Sequence, residues 1–325
     1  MEAENRVLIA WAPFSPTFED IASELGGKII CLTMLFRKKW AFLLKYPYLT
    51  VRTLWLLHRF KPTVVVVQNP PVFAALTVLF GRFFQHYRVV IDHHCLWSMK
   101  TVTWPMVSQV IRWLEKRACR MADANFTPNT AWTGIFRSLG GKDCFTYHDY
   151  IPERILERRS TPPFLVVSSH GSIHRDEMLK EEAEALEGLK NHELFVTGGG
   201  SLKSHPSNVS YVGHLDTLDY EHLKENAHAA LALTKELNTI PHVVHEYLAY
   251  GIPTIVLKNS LMHTLFSDAI VEIDDGRPEM IRNALIWITD PTVKAGICEA
   301  IRLNYQERFR LHERELAELR IRLNP

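Results

Sequence analysis

No stretch of this 325-residue chain is apolar for 18 residues in succession. The nearest, Val64 to Phe80, is cut by Gln68-Asn69-Pro70-Pro71, so a membrane-spanning helix is not expected. Cysteine is scarce and odd in number: Cys31, Cys95, Cys119, Cys144 and Cys298 stand far apart without a C-x-x-C pair. That spacing supports neither a disulfide framework nor a zinc site, and the scattered histidines lack ligand spacing. A reducing cytoplasm is the expected setting. Glu2 and Glu4 precede the first apolar segment, RVLIAWAPF, which therefore reads as a strand rather than a secretory leader. A net charge of +1 and the absence of any RNA-binding motif argue against a nucleic-acid partner.

The most local absence is of acid. From Leu25 to Ile91 there is no Asp or Glu but there are ten Lys or Arg, so with a total of +1 the rest of the chain carries −9. The same span holds Trp40, Phe42, Tyr46, Tyr48, Trp55 and Phe60. Basic side chains interleaved with aromatics suit an anionic membrane interface. The expectation is a cytoplasmic protein, peripheral on the inner face of a membrane through this amino-terminal segment.

What is present is alternation. RVLIAWA, KIICLTM, TVVVVQN, RVVIDHH and ANFTPN read as strands, separated by helical segments that include Trp40 to Phe60 and Val107 to Met121. The pattern breaks at IPERILERRSTPP and begins again at PFLVVSSH, continuing through HELFVTGGG, NVSYVGH, AALALT, PTIVL and AIVEID. Length and pattern predict an α/β chain of two Rossmann-like, doubly wound parallel-sheet domains facing a cleft. Residues 1–155 form the first, membrane-facing domain and 160–300 the second. A helix over 301–325 packs back toward the first. In such sheets ligands sit at the carboxyl ends of strands, here Pro13 to Thr17, QNPP and DHHCLW.

These ends carry the candidate chemistry. Asp92, His93 and His94 supply the carboxylate and imidazoles from which a general base is made, either Asp92 itself or His94 oriented by it. Pro13, Ser15 and Asn69 stand at the same ends and are candidates for contact with a bound substrate. In the second half, Gly198-Gly199-Gly200 ends a strand with residues that permit positive φ and close approach of a phosphate. In SSHGSIHRDEM, Gly171 allows a tight loop, His170 and Arg175 are candidates for the donor phosphates, and Asp176 reads as a helix N-cap. Asp274-Asp275, before Gly-Arg-Pro, reads as a turn and not a metal site.

The order Gly loop, NVSYVG, ALALT and then Pro241-His242-Val243-Val244-His245-Glu246-Tyr247-Leu248-Ala249-Tyr250-Gly251-Ile252-Pro253 resembles the carboxyl-terminal half of GT-B glycosyltransferases, family 4 above all. The resemblance implies that Glu246 hydrogen-bonds the ribose hydroxyls of a nucleotide sugar, and a carboxylate suits a vicinal diol. A helix N-terminus after Pro241 would favour the diphosphate. Many members carry a second glutamate eight positions earlier, where this chain has Asn238. The donor sugar would then be met by Asn238, Thr239 or His242, with Lys235 and Glu236 close by. A second resemblance, in VQNPP, IDHH and VSSHGSIHRDEM, is to the β-1,4-mannosyltransferase family that extends chitobiosyl lipid. The expected protein is a metal-independent glycosyltransferase without a cofactor. It moves a hexose from a nucleoside diphosphate to a hydroxyl of a lipid-linked or polysaccharide acceptor, with inversion favoured over retention. Two other readings are a sugar-nucleotide epimerase of the same shape and a non-catalytic partner subunit.

Overall fold

Valine-rich runs such as Val64–Val67 and Val89–Ile91 have no polar face, so they fold as strands covered on both sides. In the computed structural model, which describes residues 5–33, 42–96, 98, 105–152, 154, 163–170, 178–199 and 201–323, these runs form the centre of the first of two compact units. That unit comprises Met1–His148 and His312–Pro325, and the second comprises Asp149–Leu311. The chain thus changes unit at 148/149, ahead of Pro152, and returns at 311/312, inside a helix.

The first unit runs β1 (Arg6–Ala10), α1 (Pro16–Leu25), β2 (Lys28–Cys31), α2 (Phe42–Phe60), β3 (Val64–Asn69), α3 (Val72–Gly81), β4 (Arg88–His93), α4 (Pro105–Met121), β5 (Ala124–Thr127), α5 (Thr130–Ser138) and β6 (Cys144–Thr146). All pairings are parallel, in the order β2-β1-β3-β4-β5-β6. Alternate residues serve opposite faces. Val7, Ile9, Val65, Val67, Val89 and Ile91 pack with α2, α3 and α4. Leu8, Ala10, Val64, Val66, Val90 and Phe126 pack with Phe18 and Ile21 of α1 and with Leu316, Leu319 and Leu323. These leucines belong to the last turns of α11 (Pro291–Leu323), a single 33-residue helix.

The second unit runs β7 (Phe164–His170), α6 (Leu179–Leu186), β8 (His192–Gly198), β9 (Val209–Gly213), α7 (Thr217–Asn226), β10 (Ala229–Leu231), α8 (His242–Ala249), β11 (Thr254–Leu257), α9 (Ser260–Phe266), β12 (Ile270–Ile273), α10 (Pro278–Ile288) and the first part of α11. Its parallel sheet has the order β12-β11-β10-β7-β8-β9. Each sheet has a point where the strand order reverses: between β1 and β3 in the first unit, between β7 and β10 in the second. Adjacent connections leave in opposite directions there, which opens a crevice outside the strand ends. Among the described residues no helix is long and apolar enough to cross a membrane.

Candidate functional site

In the second unit the crevice is a cavity of about 150 Å³ at the reversal point. Ser168–His170 at the end of β7, Leu231–Thr234 after β10, and Thr239, Pro241 and Val243 at the start of α8 line it. Helix α8 begins at Pro241, whose ring sets φ at −60°. From that start the first polar positions on its outward side are His242 and Glu246, one turn apart.

The Glu246 carboxylate is fixed from beneath. Its Oε2 accepts from Tyr220 Oη at 2.8 Å and from Lys224 Nζ at 3.4 Å, both on α7. The Lys224 ammonium lies over the rings of Tyr220 and Tyr250 at 4.2 and 4.7 Å, which holds a nearly buried cation against the carboxylate. Burial first, and the Glu246 charge second, raise the Tyr220 phenol well above its usual range, so it stays a donor. Among the described residues Oε1 has His242 Nε2 as its partner, at 3.6 Å, and His242 Nδ1 is 3.2 Å from Asp149 Oδ2. Below this group Ser169 Oγ collects Thr197, Tyr220 and Tyr247 hydroxyls at 2.7, 3.1 and 2.8 Å. One carboxylate oxygen is anchored and the other is open to a ligand hydroxyl. Tyr220, Lys224 and Asp149 were not legible as site residues, because they reach Glu246 and His242 only through the fold.

The glycine loop has a different cause from the one expected. A Cβ on Gly198 would stand 1.7 Å from the His170 carbonyl oxygen, and φ there is +97°. The Gly199 N–H donates to that same oxygen at 3.1 Å. Gly198 is required by close approach to the neighbouring strand, and the Gly199 amide is taken up by the His170 carbonyl and not left for a phosphate. The His170 ring turns inward, its Nε2 within 2.9 Å of Ser168 Oγ and 3.0 Å of Glu182 Oε2. Lys235 points to Glu181 on α6, at 3.5 Å, while Asn238 is exposed on the turn before α8. Gly171, Arg175, Asp176 and Gly200 lie outside the described residues. Asp274 and Asp275 pair with Lys258 and Arg277 in a turn.

In the first unit the reversal point is bordered by Ser15, the N-cap residue of α1, and by Asn69 at the end of β3. Ser15 caps α1 with its backbone oxygen alone, which accepts from Phe18 and Glu19. Its hydroxyl is buried and, among the described residues, has no hydrogen-bond partner. Pro13 before it is exposed. Asn69 is wholly buried, and its Nδ2 lies 2.9 Å from His93 Nδ1. His93 Nε2 lies 2.9 Å from Asn125 Oδ1, and Asn125 Nδ2 donates to the Cys119 and Lys142 carbonyls. Oδ1 of Asn125 is therefore the acceptor, His93 carries its proton on Nε2, and Asn69 donates to Nδ1. Asn69 Oδ1 is left buried without a partner among the described residues.

His93, expected as a catalytic candidate, is thus enclosed. It is 0% exposed, stacks on Phe136 at 3.9 Å, and is held neutral by burial, with its pKa lowered to about 3. Its neighbours on the chain point the other way. Asp92 is buried, with Oδ2 at 2.8 Å from Nε2 of His94, an ion-pair approach without hydrogen-bond alignment, and the His94 side chain is 31% exposed. A buried carboxylate behind a solvent-facing imidazole is the arrangement that orients and strengthens a general base.

Residues 6–143 match the model of the glycosyl transferase 4-like domain family. Sucrose-phosphate synthase from Thermosynechococcus elongatus superposes with a TM-score of 0.75 at 12% identity, covering 97% of this chain and 98% of that one. Anabaena HepE in complex with UDP and glucose superposes with a TM-score of 0.73 at 11% identity, over 97% and 99% of the two chains. A putative UDP-N-acetylglucosamine 2-epimerase from Listeria monocytogenes has a TM-score of 0.62 at 12% identity, over 91% of each. No curated protein matches the sequence. The fold is GT-B, and the amino-terminal unit carries the sequence signature of a glycosyltransferase family.

Proposed function

We propose that the protein is a glycosyltransferase whose second unit takes a nucleoside diphosphate sugar and whose first unit takes an acceptor hydroxyl. The observation that carries the reading is the Glu246 carboxylate, anchored at Oε2 by Tyr220 and Lys224, on the helix whose start lines a cavity at the sheet's reversal point. A ribose diol at Oε1 leaves the diphosphate near the start of α8 and the sugar near Thr239 and His242. The family match over the first unit and the GT-B fold of both support the enzyme class. Since HepE is seen with UDP, a uridine diphosphate sugar is the first donor to test.

In the first unit His94, oriented by Asp92, takes the proton from the acceptor hydroxyl as that oxygen attacks the anomeric carbon. The sugar–phosphate bond breaks as the new bond forms, and the nucleoside diphosphate leaves. Attack from the face opposite the leaving group inverts the anomeric centre. Ser15 and Asn69 border the acceptor side at the reversal point, with their own side-chain oxygens buried. In this reading the transfer needs no protein-bound metal, so it is expected to continue in the presence of a chelator. The turns at Gln68–Pro71 and Asp92–His94, through their likeness to the chitobiosyl-lipid mannosyltransferase family, favour a lipid-linked acceptor. The protein then works at the cytoplasmic face of a membrane.

Calorimetric titration with UDP, GDP, ADP and dTDP, beside Glu246→Ala, tests the donor half. One nucleotide binds saturably, and the variant weakens it about ten- to hundredfold, the worth of one or two charge-assisted hydrogen bonds. Binding of none of the four overturns the reading. The epimerase fold likeness gives a second reading, which needs no acceptor. Conversion of a UDP-sugar to its epimer without acceptor, followed by proton NMR, would favour it.

A further inference from the structure

We infer that the face formed by α2, the end of α3 and α4 docks on an anionic lipid bilayer. This names the partner of the basic amino-terminal segment and rests on the membrane location proposed above. The three helices form one layer over one face of the first unit's sheet, their inner sides sharing a single core. Their outer sides are apolar as well. On α2, Leu44, Tyr48, Val51 and Trp55 recur at helical spacing and are exposed. At the end of α3, Phe80, Phe83 and Phe84 form an edge-to-face cluster, with Phe83 75% and Phe84 71% exposed. On α4 the stripe is Met106, Val110, Trp113 and Met121, with Met106 81% exposed. A globular surface scatters single apolar residues, but exposed apolar groups on three helices of one layer mark an interface.

Charge selects the occupant. Lys45, Arg52 and Arg59 lie on α2, and Arg112, Lys116, Arg117 and Arg120 on α4. The sole carboxylate in the three helices, Glu115, is wholly buried and bonded to Ser98 Oγ at 2.6 Å. The arginines are set among the exposed rings: Arg52 donates to Tyr48 Oη at 2.7 Å, Arg59 lies 5.3 Å from the Trp55 ring centre, and Arg117 lies 5.4 Å from that of Trp113. A second copy set face to face would oppose like charges with no acid to meet them. A bilayer accepts the rings at its interface and matches the arginines with lipid phosphates and anionic headgroups. Helices α2 and α4 begin on the carboxyl-end side of the sheet, where Ser15 and His94 lie. The docking face thus reaches the side at which a lipid-linked acceptor would enter.

The test is flotation with vesicles of phosphatidylcholine alone and of phosphatidylcholine containing phosphatidylglycerol, both free of any acceptor. The full chain floats with the anionic vesicles and is released by salt. Phe83→Ser with Phe84→Ser, and separately Trp113→Ser, lower partitioning more than about tenfold. Arg52→Ser and Arg117→Ser each lower it roughly fivefold. All these positions are exposed, so thermal melts remain those of the parent. No flotation, equal flotation with both vesicles, or indifference to the substitutions overturns the inference. So does a concentration-dependent dimer in light scattering that the same substitutions disperse, which would make the face a self-interface. Titration of the same samples with UDP, GDP, ADP and dTDP separates the two readings: flotation without binding of any of the four removes the transferase reading alone, and nucleotide binding without flotation removes this one alone.

Discussion

At the residue scale two neighbours on one strand end have opposite tasks. Asp92 and His94 form a buried-to-exposed dyad, while His93 between them is locked by Asn69, Asn125 and Phe136. His94→Ala is expected to lower kcat about 10²- to 10⁴-fold with nucleotide affinity unchanged, and Asp92→Asn to act in the same direction. Initial rates beside titration check both, and full turnover in both variants would remove the base assignment. His93 gives a pH prediction. Its native pKa of about 3 lies below the ordinary 6.5, so between those values the unfolded chain binds more protons. The contribution is fully present above pH 6.5 and is lost as pH falls toward 3, by up to about 1.4 kcal/mol per pH unit. Urea midpoints between pH 7 and 4 should fall less steeply in His93→Gln than in the parent. Glu246 and the Asp92–His94 pair were legible because each stands in a local pattern. Tyr220, Lys224 and Asn125 were not, since their roles arise from contacts 22 to 32 positions away along the chain.

At the scale of elements, the glycines separate packing from backbone freedom. Gly198→Ala meets the His170 carbonyl as well as an unfavourable φ, and is expected to destabilise the second unit by at least about 2 kcal/mol. Gly213, at φ +71° with nothing within 4 Å of its Cβ position, carries the backbone cost alone, about 1–2 kcal/mol for alanine. Gly134, inside α5 and equally open, should gain about 1 kcal/mol on substitution by alanine. Denaturant midpoints of the three variants rank these effects, and an unaffected Gly198→Ala would contradict the close approach. The strand-and-helix alternation was legible because apolar runs and helical periods are local. The three-residue β6 and the short α9 were not, since neither is long enough to show a period. The apolar face of α4 escaped for another reason: the acid-free span ends at Asp92, before α4 begins, and only the fold shows that the one carboxylate of α4, Glu115, is buried.

At the scale of the molecule, the last turns of α11 belong to the first unit's core. Leu319 is wholly buried against that sheet, and Glu315 accepts from the His148 amide at 2.8 Å and lies 2.7 Å from its Nδ1. Leu319→Ala is expected to cost about 2–5 kcal/mol, read as an earlier urea transition of the first unit. An unchanged transition would show that the tail is dispensable. The tail's own sequence, rich in Arg and Glu, shows a helix but not the sheet face that its leucines meet. The return of the chain also fixes an order of assembly. During synthesis the segment through His148 leaves the ribosome first, yet one face of its sheet, covered in part by α1, stays incompletely covered until the final dozen or so residues arrive. The second unit, all of whose residues precede them, can finish folding earlier. The half of the protein made first is therefore completed last, and a chain that stops short at its carboxyl end leaves its amino-terminal half exposed to holdases and proteases.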